Sequence, residues 1–251
     1  MCDSEFTYDW YERLINLIHD SNYTITNYHE YMKYDKPCIL RHDVDMDIIK
    51  AAEFASFESK FLSGDGYKGS TYFVLLCCDF YNIFSKNSLE AAYKILSLGN
   101  EIGLHFDETK YHVNDDKKQL AEFIEEELHI LGQALGTTVR AVSMHRPSKF
   151  TLESNVLLKN AVNSYSHEFF KDFKYISDSR MHWREDVCSI VKNCESNKLH
   201  ILTHPFWYNI FNESTKQKIQ SFIHRANIER YEDFSNNFRD LDEFVRLEDV
   251  Q

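Results

Sequence analysis

Apolar residues along this chain recur with two different periods. Short runs with alternating or continuous apolar character at residues 38–44, 70–77, 101–106, 139–145, 161–166, 174–178 and 199–203 predict seven β-strands. Between them the spacing lengthens to three or four. The clearest case is 115–135, where Leu120, Phe123, Ile124, Leu128 and Leu131 form one helical stripe. Residues 46–60 follow the first strand as a further helix. Residues 6–18, with Phe6, Trp10, Leu14, Ile15 and Ile18 in phase, predict a helix covering the bottom of the sheet, and the charged stretch 213–250 is expected to close the sheet after its last strand. Strands that alternate with helices imply a parallel sheet with helices outside it. Seven of them favour an α/β barrel, complete or incomplete, over an open sheet.

Nothing in the chain marks a boundary between domains. With 3 Pro, 7 Gly and no repeat or low-complexity tract in 251 residues, a single domain over 1–251 is expected. Hydrophobic residues make up 43%, which rules out global disorder. The balance of 28 Lys+Arg against 40 Asp+Glu, a net charge of −12, argues against a nucleic-acid partner or an anionic membrane surface. No basic residue precedes an apolar run at the N-terminus, and the densest apolar stretch, 72–78, is far shorter than the roughly 20 residues of a membrane span. Both point to a cytoplasmic protein without membrane insertion. The six cysteines (Cys2, Cys38, Cys77, Cys78, Cys188, Cys194) lack C-x-x-C spacing and are expected to be reduced thiols.

Candidate chemistry gathers at the C-terminal ends of the predicted strands, the rim on which α/β barrels build active sites. The first strand ends in Arg41-His42-Asp43-Val44-Asp45, the third in Gly103-Leu104-His105, and the fourth in Met144-His145-Arg146-Pro147. The sixth ends in Ser177-Asp178-Ser179-Arg180 and the last in Thr203-His204-Pro205. Alternate side chains share a face, so Asp43 and Asp45 point one way and His42 the other; His105 goes with Gly103, and His145 with Ser143 and Ala141. Taken singly these residues have plain explanations. An aspartate such as Asp45, ahead of a helix, is more often an N-cap, and a lone strand-end histidine is usually a hydrogen-bonded rim residue. Their coincidence on separate strands is what suggests a metal site, since aspartate with neutral imidazole is a common ligand set for zinc or iron.

In order and spacing, the pieces RHDVD (41–45), STYFVLL (70–76), EIGLHFD (101–107), SMHRPS (143–148), YISDSRMHW (175–183) and LTHPFW (202–207) resemble the NodB-homology polysaccharide deacetylases, carbohydrate esterase family 4. The nearest resemblance is to a divergent subgroup with a leading H-D-V-D, associated with surface-polysaccharide and lipopolysaccharide gene clusters. It spans about residues 38–208. It implies a distorted (β/α)7 barrel and a metal-dependent hydrolase that cleaves the linear amide C–N bond of an N-acetyl, or related acyl, group on a sugar or glycan. By similarity Asp43 is the general base and Asp45 a metal ligand. His105 matches the first position of the family's H-x-x-x-H, but Thr109 stands at the second and cannot ligate as imidazole does. The third ligand is therefore His145 or, with a folded-back loop, His112, and His145 is favoured by its parity. Arg146 resembles an arginine that orients the base, Asp178 and Trp183 a further motif pair, and His204 the terminal histidine, a general acid partnered by Asp178. Trp207 and Trp183 are expected to bind substrate. Zinc is the expected cofactor, with iron, cobalt or manganese as alternatives. Two rival functions remain at this stage: a sugar-binding protein without turnover, suggested by Thr109, and an amidohydrolase acting on a non-sugar amide.

Overall fold

Each of the seven expected strands is present in a computed structural model, which describes residues 5–62 and 69–250. In chain order the elements up to Tyr208 are α1 (Tyr8–Asp20), β1 (Thr24–Thr26), β2 (Pro37–Val44), α2 (Ile48–Glu58), β3 (Thr71–Val74), α3 (Lys86–Ser97) and β4 (Glu101–Asp107). They continue with α4 (Lys117–Leu135), β5 (Ala141–His145), α5 (Lys149–Ser154), β6 (Val162–Asn163), β7 (Lys174–Ser177), α6 (Val187–Lys192) and β8 (Leu199–Thr203). The strands bond in the order β6-β5-β4-β3-β2-β8-β7, all parallel, with the three-residue β1 beside β2 off this path. The seven-stranded parallel sheet curls into a half-barrel surrounded by helices, an α/β barrel-like fold.

Two buried layers follow from strand parity. On the outer side Leu40, Val44, Tyr72, Leu104 and Val142 pack under the helices. On the inner side Ile39, Phe73 and Ala141 meet Tyr28, Tyr31, Phe169 and Phe173. Gly103 makes room for this inner layer, because a Cβ there would lie 2.5 Å from the ring of Phe73. The lower half of the barrel is therefore filled with aromatic rings, and polar side chains of the same faces are left to the C-terminal rim.

Helix α1 does not cover the bottom of the sheet, as its pattern suggested. Its Tyr11 donates to Glu58 of α2 at 2.6 Å and packs on Phe54 and Tyr208, while Trp10 meets Trp183 at 5.7 Å. The helix thus lies in the outer layer, over the side of the sheet from which His42 projects; the periodicity showed that one face is buried but not against what. There Glu58, completely buried, also accepts from Tyr72 at 3.0 Å and faces His42 Nε2 at 3.2 Å, and His42 Nδ1 lies 2.6 Å from Thr203 Oγ1. This network ties β2 to β8 one residue away from Asp43 and His204.

The chain divides into two compact units, Met1–Tyr208 and Asn209–Gln251. The second contains α7 (Thr215–Ser235), opened by a capping box between Ser214 and Gln217, and two single 3-10 turns. Among the described residues no helix is long and apolar enough to cross a membrane.

Candidate metal centre and active site

The end of β2 aims Asp43 into the barrel, and Asp45, just past the strand, follows on the same side. The N-cap of α2 is Asp47, whose carboxylate accepts from the Lys50 amide at 2.9 Å, so Asp45 is left without a capping role. His105 comes from β4 and His145 from the last position of β5. Asp45 Oδ1 lies 3.1 Å from His105 Nε2 and 3.4 Å from His145 Nδ1, and the two imidazole nitrogens are 3.1 Å apart. Donors about 2.1 Å from one ion, at angles between octahedral and tetrahedral, would be separated by about 3.0–3.4 Å, so this spacing fits a single divalent cation. Asp45 Oδ1 is buried and receives no hydrogen bond of good geometry. Three lone-pair-bearing atoms this close, one of them anionic and otherwise unsatisfied, form a donor set suited to zinc or a similar ion.

His112 has no place in this cluster. It lies exposed in the loop before α4. Where the family resemblance would put a second histidine, Thr109 instead donates to Asp107 Oδ1 at 2.7 Å, and Asp107 caps the 3-10 turn Glu108–Lys110. The turn stays at the cavity wall through Asp107 and Lys110 but brings no imidazole to the cluster, whose second imidazole comes from β5.

Beside the cluster, Asp43 is held by an arginine from its own strand. Arg41 Nε donates to Oδ1 at 2.8 Å and Nη2 to Oδ2 at 2.7 Å, and Nη2 also donates to Ser143. The guanidinium is completely buried, with the rings of Tyr165 at 4.9 Å and Phe73 at 5.4 Å. Burial alone would push the Asp43 carboxyl up, but the Arg41 charge and its two hydrogen bonds hold it below the usual carboxylate range. The arginine expected to orient the base, Arg146, does not do so: it is exposed at the rim, with a left-handed backbone at φ 53°. In β2, residues 41 and 43 share a face, and that proximity fills the position first.

Across the barrel, Asp178 grips His204 twice. Its Oδ1 faces His204 Nδ1 at 2.6 Å and its Oδ2 accepts the His204 amide at 3.1 Å. Burial works against a charged ring here, yet the completely buried Asp178 carboxylate outweighs it and lifts His204 to about 9. Nδ1 is thereby fixed as a donor to Asp178, and Nε2 is directed to the cluster, 3.8 Å from Asp45 Oδ2.

These groups line a cavity of about 710 Å³. The two tryptophans expected to bind substrate are not in its wall. Trp183 packs against Trp10, and Trp207 against Phe206, in the helix-side core, where rings of that size find more apolar surface than at a polar rim. The aromatic residues of the wall are Tyr165 and Tyr175, each stacked on Phe170, and Phe80. Tyr175 shares its face of β7 with Ser177, so the parity that singled out the histidines also marks it.

No family model and no curated protein matches the chain. A solved structure, "T48 deacetylase with substrate", aligns over 76% of this chain and 85% of that one with 17% identity and a TM-score of 0.36. A likeness at that level carries no argument about activity.

Proposed function

We propose that this chain is a metal-dependent hydrolase that removes an N-acetyl or related acyl group from a sugar, in the synthesis of a surface polysaccharide. One observation carries the reading: Asp45, His105 and His145 converge to within metal-binding distance between an arginine-held aspartate and an aspartate-held histidine, in a single cavity. The motif resemblance supplies the acyl sugar; the geometry supplies a division of labour.

Asp45, His105 and His145 would hold a divalent ion, which would supply Lewis acidity toward an acyl oxygen and toward water. Asp43 remains outside the ligand set, ionised and fixed by Arg41, and takes the proton of the attacking water. Its two oxygens are already engaged by the guanidinium, so the carboxylate does not rotate away from that task. His204 carries a proton on Nε2, which Asp178 stabilises from the other side of the ring. That proton goes to the sugar nitrogen as the C–N bond breaks, since an amine leaves readily only when protonated. Tyr165 and Tyr175 line the side of the cavity in which the sugar would lie.

The rival reading, sugar binding without turnover, rested on Thr109; the position of His145 within metal-binding distance of Asp45 and His105 supports turnover instead. Acetate release from a panel of N-acetyl sugars by metal-loaded protein tests the proposal. Asp43→Asn is expected to keep its metal and lose about 10²–10⁴ in rate; Asp45→Asn is expected to lose the metal itself. A loaded Asp45→Asn beside an empty Asp43→Asn would reverse the two roles.

A further inference from the structure

Two cations stand on the cavity rim with no part in the chemistry above. Arg146 directly follows His145 at the end of β5, and Arg180 lies two residues beyond Asp178 after β7. Both line the cavity, both are exposed, and among the described residues neither takes part in an ion pair. Both also have left-handed backbones, with φ of 53° and 61°. That region is sterically easy for glycine and tolerable for asparagine, but uncommon for a long side chain such as arginine. A turn needed only to reverse the chain has better residues available. Two arginines kept in this conformation on loops of two different strands indicate that the side chains are wanted where the turns place them.

Their electrostatic setting points the same way. The chain as a whole carries −12. Of the carboxylates in the cavity wall, Asp43 is engaged by Arg41, Asp45 belongs to the ligand cluster, and Asp107 accepts from Thr109. Asp79, the remaining one, comes from the loop after β3, and Lys110 already faces Glu127 at 3.7 Å. Arg146 and Arg180 share this wall with the charges of Asp79 and Asp107, yet among the described residues neither arginine takes part in an ion pair, so both guanidiniums keep their donors for an anion entering the cavity.

We propose that Arg146 and Arg180 bind an oxyanion, a phosphate or a carboxylate, carried by the acylated sugar, so that the substrate is an anionic rather than a neutral N-acyl sugar. The inference rests on the deacetylase reading for the sugar itself. The planar guanidinium fork suits both oxyanions, donating two parallel hydrogen bonds to two of their oxygens.

The test compares N-acetylglucosamine, its 1-phosphate and the carboxylate-bearing N-acetylmuramic acid. Binding is measured by calorimetry on metal-loaded Asp43→Asn protein, with and without Arg146→Ala and Arg180→Ala, and acetate release is measured in the wild-type background. The anionic sugars are expected to bind at least about tenfold more tightly than the neutral one, and each arginine removed is expected to cost about tenfold for the anionic sugars only. Added salt should weaken the anionic sugars alone. Whether phosphate or carboxylate gains more identifies the oxyanion. Equal binding of neutral and anionic sugars, arginine variants that weaken both alike, or binding of none of the three overturns the inference. Failure of the deacetylase reading looks different: no acetate from any sugar, while the anionic preference and its dependence on the two arginines persist.

Discussion

Replacing Arg41 separates the two arginines that compete for the task of holding the base. In Arg41→Met the Asp43 carboxylate, only 4% exposed, keeps its charge but loses two charge-assisted hydrogen bonds at 2.8 and 2.7 Å. Each such bond is worth about 1.5–3 kcal/mol, and stranding one partner of a buried ion pair costs about 3–5 kcal/mol in total. For a chain of this length that corresponds to a fall of about 6–20 °C in melting temperature. Removing both charges in Arg41→Met/Asp43→Leu should recover much of the loss, because a buried pair replaced by apolar side chains leaves nothing unsatisfied. Turnover should drop on the order of 10²-fold in the single variant through misplacement of the base, and stay lost in the double. Arg146→Met, at an exposed site, should change stability by less than about 0.5 kcal/mol. Urea denaturation of the four proteins in chelator, with acetate release measured after metal loading, reads all of these. An Arg41→Met protein within about 1 kcal/mol of wild type, or a double variant no more stable than the single, would refute the argument that a desolvated ion pair fixes Asp43.

The remaining expectations concern the ligands, the acid and the inner layer. Metal content measured on purified protein should collapse in His105→Ala and His145→Ala and remain full in His112→Ala; the opposite result for the last two would move the third ligand to the loop. His204→Ala should slow hydrolysis of an N-acetyl sugar far more than that of an O-acetyl ester, because an alkoxide leaves without prior protonation and an amine does not; equal losses on both would remove His204 from the role of acid. His200, buried in the barrel, faces the Tyr28 hydroxyl at 2.7 Å through Nε2 and the Phe169 carbonyl at 3.2 Å through Nδ1, which fixes the neutral ring. Burial, with the nearby Arg41 charge, depresses it to about 3. Between pH 6.5 and 3 the unfolded chain therefore binds a proton that the folded one refuses, and stability falls as the pH falls, by about 2 kcal/mol at pH 5. Denaturation midpoints of His200→Gln should lose that much of the acid dependence, and an unchanged profile would mean that His200 accepts its proton in the folded protein.

Much of this architecture is legible in the residues themselves, because the signals that carry it are local. A period of two identifies a strand and also states which side chains share a face, so the inward direction of Asp43, Asp45, His105 and His145 follows from counting alone. The stripe at 115–135 likewise fixes a helix, and it forms as Lys117–Leu135 between an aspartate cap and a left-handed glycine at Gly136. Among the described residues the strand that escaped, Thr24–Thr26, is too short to show a period.

What only the tertiary structure decided are choices between equivalent candidates. Asp45 and Asp47 both precede α2, and the position of the Lys50 amide decides which one caps it. His112 and His145 are alike as imidazoles, but His145 ends a strand beside His105, whereas His112 lies exposed in the loop before α4. Arg146 was the arginine expected to hold the base; parity already puts Arg41 on the face of Asp43, but only the packing of its guanidinium against Tyr165, Phe73 and Ser143 shows that it reaches both carboxylate oxygens. Trp183 and Trp207 looked like a sugar platform, and the outer core took them because the depth of apolar packing at a position is set by elements far away in the chain. Periodicity tells which way a side chain points; which partner it meets depends on distances between segments that no local pattern contains.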